Sequence, residues 1–169
     1  MKRSIYLLYI SIMLLLGCSK ENTILDTDKQ IDFAVESIDF KLTSNSNTSG
    51  RVTISGKIVN VGDSFFSEEV PQSFYLYERP WGTAINSNGN LIAQKDFSVL
   101  ETGKSIAINY TREWDTQMYS NGAFCPTYRL LIRYDNELYE IDVFPFQDSN
   151  PSNNMMERNG SDINLLFLE

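Results

Sequence analysis

The chain has 169 residues, with 22 Asp and Glu against 14 Lys and Arg, a formal net charge of −8 and no His. That length supports one ordinary domain, and 42% hydrophobic residues are enough to bury a core. The acidic balance argues against a nucleic-acid partner, which needs a basic footprint, and the missing imidazole removes His-based triads and His-ligated zinc. Val, Ile, Thr, Tyr, Phe and Trp together number 53 against five Ala, so strands are expected.

Residues 1–17 read as a signal peptide rather than as part of the fold. Lys2 and Arg3 form a basic start, and Ser4 to Leu16 is a mostly apolar run of 13 residues, too short to span a bilayer. Leu15-Leu16-Gly17-Cys18 follows at once. This ending resembles a bacterial lipobox. The resemblance implies that Cys18 carries a diacylglycerol thioether, that the chain is cut before it and that the new amine is acylated. Such a chain has only its lipid to hold it to a membrane, and several acyl chains together bind firmly. Cleavage removes two positive charges and no acid, which takes the net charge from −8 to −10. A body so charged stands off an anionic lipid surface. Ser19 after the Cys resembles the outer-membrane choice, and Ser19-Lys20-Glu21 resembles the short export signal of Bacteroidetes surface lipoproteins. Residues 18–30 then form the lipidated Cys and a polar tether. With Cys18 lipidated, Cys125 has no disulfide partner. It is expected to be a small buried residue before Pro126 rather than a reactive thiol.

From residue 31 to 169 the pattern is one of successive strands. Ile31-Asp-Phe33-Ala-Val35 alternates, slips phase at Glu36-Ser37 and resumes at Ile38-Asp-Phe40-Lys-Leu42, the mark of a bulge. Thr43 to Gly50 is all Ser, Thr, Asn and Gly and reads as a loop. Val52, Ile54, Gly56 and Ile58 keep a period of two. Phe74 and Leu76 share one strand face and Tyr75 and Tyr77 the other, and Arg79-Pro80-Trp81-Gly82 stops that strand. Leu91 to Val99 is a less regular strand. Thr102-Gly103 turns into Ile106, Ile108 and Tyr110. Thr127 to Asp135 alternates most clearly, and Asp135-Asn136 turns into an apparent extra hairpin, Glu137 to Phe146. Asp148 to Asn154 is a polar turn, and Ile163 to Leu168 closes the chain.

Five pieces in order carry a second resemblance: Ile58-Val-Asn60-Val-Gly62-Asp63, Phe74 to Tyr77, Leu100-Glu-Thr-Gly103-Lys-Ser, Tyr128 to Asp135, and Asp148-Ser-Asn150-Pro-Ser-Asn153-Asn154. Together they resemble the cell-adhesion-related domain found in bacteria, CARDB, over roughly residues 31–168. The closing turn departs from the family pattern, with Asp148 and Pro151/Ser152 where that pattern has Glu. The resemblance implies an immunoglobulin-like fold and a role in adhesion or surface assembly. Composition and patterning independently lead to the same class: all-β, an antiparallel β-sandwich of seven to eight strands.

Chemistry-bearing clusters are few. Asp148, Asn150, Ser152 and Asn154 put oxygens at alternate positions, as a calcium loop would. Asn153, however, stands where an EF-hand needs Gly, and Asn159 where it needs Glu, so a set of Asx turns is expected. Glu68-Glu69, Glu113/Asp115 and Glu140/Asp142 are carboxylate pairs of the kind glycosidases use, but also of the kind that solvated strands carry. The aromatics give the better lead. If Phe74 and Leu76 are core, Tyr75 and Tyr77 face outward. Trp81 sits in a Pro-Gly loop, and Trp114, Tyr119 and Phe124 fall in the stretch before Tyr128. Such rings either stack on sugars or anchor a protein partner, or else cover the extra hairpin and fill the core ends. Trp114 in particular looks structural. The expectation is a non-enzymatic lipoprotein on the outer membrane, facing the cell exterior, with no cofactor and no metal. It would act as a binding or adhesion module or as an accessory subunit. A carbohydrate-binding role through Trp81, Tyr75 and Tyr77 is the alternative, and a protein or a glycan is the expected partner.

Overall fold

The computed structural model describes residues 29–68, 71–119, 124–133 and 148–168. The signal peptide, Cys18, most of the tether, Glu69, the Glu137 to Phe146 hairpin and the Glu140/Asp142 pair therefore lie outside the described residues.

The chain is an all-β antiparallel sandwich. Strands β1 (Phe33–Asn45), β2 (Ser49–Asn60) and β7 (Ser105–Asp115) form one sheet in the order β1-β2-β7. Strands β4 (Gln72–Arg79), β5 (Asn90–Phe97), β8 (Thr127–Arg133) and β9 (Met155–Asn159) form the other, in the order β5-β4-β8-β9. The short strands β3 (Phe65–Phe66) and β6 (Val99–Leu100) pair as a two-stranded ribbon. Among the described residues a short α-helix, α1 (Ser161–Leu165), follows β9.

The period of two decides what is inside. Val52, Ile54 and Ile58 on β2, Phe74 and Leu76 on β4, and Tyr128, Leu130 and Ile132 on β8 all turn inward and are buried. Gly56 lies in that row and leaves room for a side chain of the other sheet: a Cβ would meet Leu130 Cδ1 at 2.6 Å. One end of the core is aromatic. Phe97 meets Phe33, Phe65 and Phe74 edge-on at centroid distances of 5.1, 5.8 and 6.1 Å, the arrangement ring quadrupoles favour.

A polar bridge also crosses the interior. Arg112 on β7 donates to the Glu78 carboxylate on β4, and Tyr128 OH lies 3.4 Å from the same oxygen. Burial works against the Arg112 charge, but facing Tyr128 and Glu78 raises its pKa above the ordinary arginine value. Burial first, and then the Glu78 charge, push the Tyr128 phenol up. Arg112 stays charged and Tyr128 neutral, so the bridge ties the two sheets together as a fixed ion pair.

The register of β1 on β2 shifts between Val35 and Ser37, placing the bulge at Glu36, where the phase of alternation slips. Three expectations need correction. Thr43 to Gly50 is mostly strand: β1 runs to Asn45 and β2 starts at Ser49, with Ser46 N–H bonded to Ser49 O at 2.7 Å. Loop-like composition yields here to a continuous hairpin ladder. Gln30 already belongs to the folded body, since its N–H donates to Asp63 Oδ2 and its carbonyl accepts from Asp63 N–H, each at 2.9 Å. Ile163 to Leu168 is not a closing strand. Ile163 is the buried residue of α1, and the closing strand is β9 just before it.

Candidate functional site

The site begins where β4 ends. Pro80 cannot extend a ladder, and the chain turns at once: Thr83 N–H and Thr83 Oγ1 both donate to Pro80 O, at 3.1 and 2.6 Å. Gly82 occupies the third position with φ +84°, a conformation that suits Gly. The turn lifts Trp81 out of the body, and its residue surface is 70% exposed.

Two guanidiniums hold this loop. Arg79 donates to the carbonyls of Ser87 and Ala84, each at 3.2 Å, and to Glu157 Oε1 at 2.6 Å. Arg129 donates to the same Glu157 oxygen at 2.7 Å and to Asn88 Oδ1 at 2.8 Å. Glu157 stands opposite Arg129 in the β8–β9 register, so the sheet itself places the carboxylate between the two cations. Several charge-assisted bonds at low exposure make the Trp81 loop a fixed feature.

Trp81 stacks on Phe124, with ring centroids 4.5 Å apart and planes at 15°. Phe124 is itself 58% exposed. Beside this pair opens a cleft of about 560 Å³. Tyr119, Cys125, Thr127, Asn159, Ser161 and Asn164 line it as well. Two of these side chains are held by bonds of their own. Asn159 Oδ1 accepts from Ser161 N–H at 2.8 Å, and Asn164 Oδ1 accepts from Trp114 Nε1 at 2.8 Å. Burial pushes the Cys125 thiol up, which disfavours the nucleophilic thiolate.

The structure brings Trp81 and Phe124 together and leaves Tyr75 and Tyr77 elsewhere. The two tyrosines do face away from Phe74 and Leu76, but each is only 9% exposed, where outward rings were expected. The reason is the position of their strand. β4 is flanked on both sides, so Leu131 lies opposite Tyr75, and Leu91 and Arg129 lie opposite Tyr77. The rings also approach one another, with centroids 6.2 Å apart. Neither lines the cleft. Trp114 is 2% exposed, between Tyr119 and the Arg112 guanidinium. Sequence reasoning missed Asn159, Ser161 and Asn164. The Asn159-Gly160 pair signals a turn, but nothing local says that it faces Trp81.

The other clusters are structural in geometry. In the Asp148 to Asn154 turn, Asn150 N–H donates to Asp148 Oδ1 at 3.0 Å, and Ser152 Oγ donates to Asn150 Oδ1 at 2.6 Å. Asn154 Nδ2 donates to Asp148 Oδ2. Ser149 Oγ and Asn153 Nδ2 bond the two oxygens of Asp32, so the turn clasps the entry of the chain into the sandwich. Among the described residues no group of three or more His, Cys, Asp or Glu is placed to hold a metal ion. Glu113 pairs with Arg51 at 3.0 Å on an exposed sheet face, and Asp115 Oδ1 accepts from Gln117 N–H at 2.8 Å. Neither lines the cleft. Among the described residues no helix is long and apolar enough to cross a membrane.

No family model matches the chain, and no curated protein matches it significantly. Several solved structures are weakly similar. A GH3 β-glucosidase from Bifidobacterium adolescentis is 16% identical over 63% of this chain and 16% of its own, with a TM-score of 0.33. β-Glucosidase 3B from Thermotoga neapolitana, in complex with glucose, is 11% identical over 76% and 17%, with a TM-score of 0.32. A β-glucosidase from Kluyveromyces marxianus is 14% identical over 78% and 14%, with a TM-score of 0.34. The chain thus spans about a sixth of the length of these enzymes, and likeness at this level carries no inference about activity.

Proposed function

We propose that the chain is a non-enzymatic, lipid-anchored surface lipoprotein whose sandwich is a binding or adhesion module, and that it engages its ligand at the cleft between the Trp81 loop and α1. The observation that carries this reading is the exposed Trp81–Phe124 stack at the mouth of a cleft, on a loop pinned by Arg79, Arg129 and Glu157. Large apolar rings left in water on a rigid support are what binding surfaces use as anchors. The lipobox-like ending at Cys18 supplies the attachment to the outer membrane. The CARDB-like pieces support an adhesion or assembly role.

The test is a photo-crosslinking amino acid placed at position 161, on the cleft rim, and separately at position 53, on the exposed face of the other sheet, in the full lipoprotein on intact cells. The expected result is a discrete adduct from position 161 that disappears in Trp81→Ala, and none from position 53. Adducts from 53 alone, or from neither position, would overturn the assignment of the cleft.

A further inference from the structure

We infer that the cleft takes a neutral glycan, with the flat face of one pyranose ring lying on Trp81. This assignment rests on the reading of the cleft as a binding site and narrows it to one chemical class.

The first argument is shape. Phe124 covers one face of the Trp81 indole, and 70% exposure of the residue leaves a flat apolar platform open. A pyranose with equatorial hydroxyls presents its axial C–H groups as a flat apolar face of matching size, while its hydroxyls point outward around the rim. An apolar plate in a partly polar lining suits that amphipathic ring better than the uniformly apolar centre of a protein interface.

The second argument is hydrogen bonding. The cleft lining also offers Thr127, Asn159, Ser161 and Asn164. Hydroxyls and amides both donate and accept, as sugar hydroxyls do. The third is charge. Among the described residues the one charged side chain along the cleft is Arg79, and its guanidinium is already committed to Glu157 and to two loop carbonyls. Among those residues the cleft therefore offers no uncommitted cation to a sulfate or uronate, and the net charge of −8 repels polyanions. The cleft's size, about 560 Å³, lies within the range of small-molecule sites. The pinned loop means that little conformational freedom is lost on binding.

The experiment is calorimetric titration of the full-length lipoprotein in detergent micelles with cellotetraose, laminaritetraose, β-1,4-galactotetraose and, as the anionic counterpart, heparin. The inference expects binding to at least one neutral oligosaccharide and none to heparin. Trp81→Ala should weaken that binding at least about tenfold, as loss of a central aromatic anchor does. Asn159→Ala should weaken it as well, and Thr53→Ala on the opposite sheet should leave it unchanged. Binding to heparin alone, or neutral binding indifferent to Trp81→Ala, would overturn the inference. No glycan binding, together with a Trp81-dependent crosslink at position 161, would overturn the glycan while leaving the binding module with a protein ligand. Failure of both experiments would remove the binding site itself.

Discussion

Replacing Asn60 by Ala is expected to destabilise the sandwich by about 2–4 kcal/mol. Asn60 is fully buried at the end of β2. Its Nδ2 donates to Leu100 O at 2.7 Å and to Asp63 O at 2.8 Å, and its Oδ1 accepts from Gly62 N–H at 3.0 Å. Its backbone carbonyl accepts from Gly103 N–H at 2.7 Å. One side chain thus holds the turn after β2 to the turn before β7. Truncation leaves the buried Leu100 carbonyl without its donor, an orphan that costs about 1–3 kcal/mol, and also removes the part-buried bonds to Asp63 O and Gly62 N–H. Asn60→Asp keeps the size and removes both donors, so it should be no milder. Urea unfolding of the two variants beside Thr53→Ala, a half-buried control on the outer sheet face, measures the effect. A loss under about 0.5 kcal/mol for Asn60→Ala would show that the two turns hold without it.

Trp114→Ala is expected to cost about 3–5 kcal/mol, the usual range for emptying a buried aromatic site. The indole packs on Tyr119 at 4.6 Å and under the Arg112 guanidinium at 5.4 Å. It also lies against the start of α1, where a Cβ on Gly160 would meet Trp114 Cη2 at 3.0 Å. Trp114 therefore supports both the inter-sheet bridge and, through its bond to Asn164, the lining of the cleft. Trp114→Phe separates these roles. It keeps most of the packing and loses the bond to Asn164, at a cost of about 1 kcal/mol. If Trp114→Ala cost less than about 1 kcal/mol in urea unfolding, the residue would not hold the site together.

Much of the sandwich is legible in the sequence because alternation is a local signal. Val52, Ile54 and Ile58, and Tyr128, Leu130 and Ile132, declare their inward face without reference to any other strand, and the phase slip at Glu36 declares its bulge. What escapes depends on neighbours. Tyr75 and Tyr77 sit on the outer face as their spacing says, yet their burial follows from the central place of β4 in its sheet, which alternation does not encode. β9 presents no strong alternation and is fixed by its ladder with β8. Helix α1 has five residues, too few for a helical period to show. The cleft is harder still. Trp81 and Phe124 were candidates as exposed rings, but their stacking joins residues 43 positions apart, and the stretch from Asn159 to Asn164 lies far from Trp81 along the chain.

The most direct test of the account is the location of the protein in cells, compared between the wild type and Cys18→Ala. The account predicts that the wild type incorporates radiolabelled palmitate, sediments with the outer membrane and is removed by protease added to intact cells. Cys18→Ala should incorporate no label and leave the membrane fraction. A Cys18→Ala protein that stays membrane-bound would contradict the lipid anchor, and a membrane-bound wild type that protease cannot reach would contradict its display at the surface.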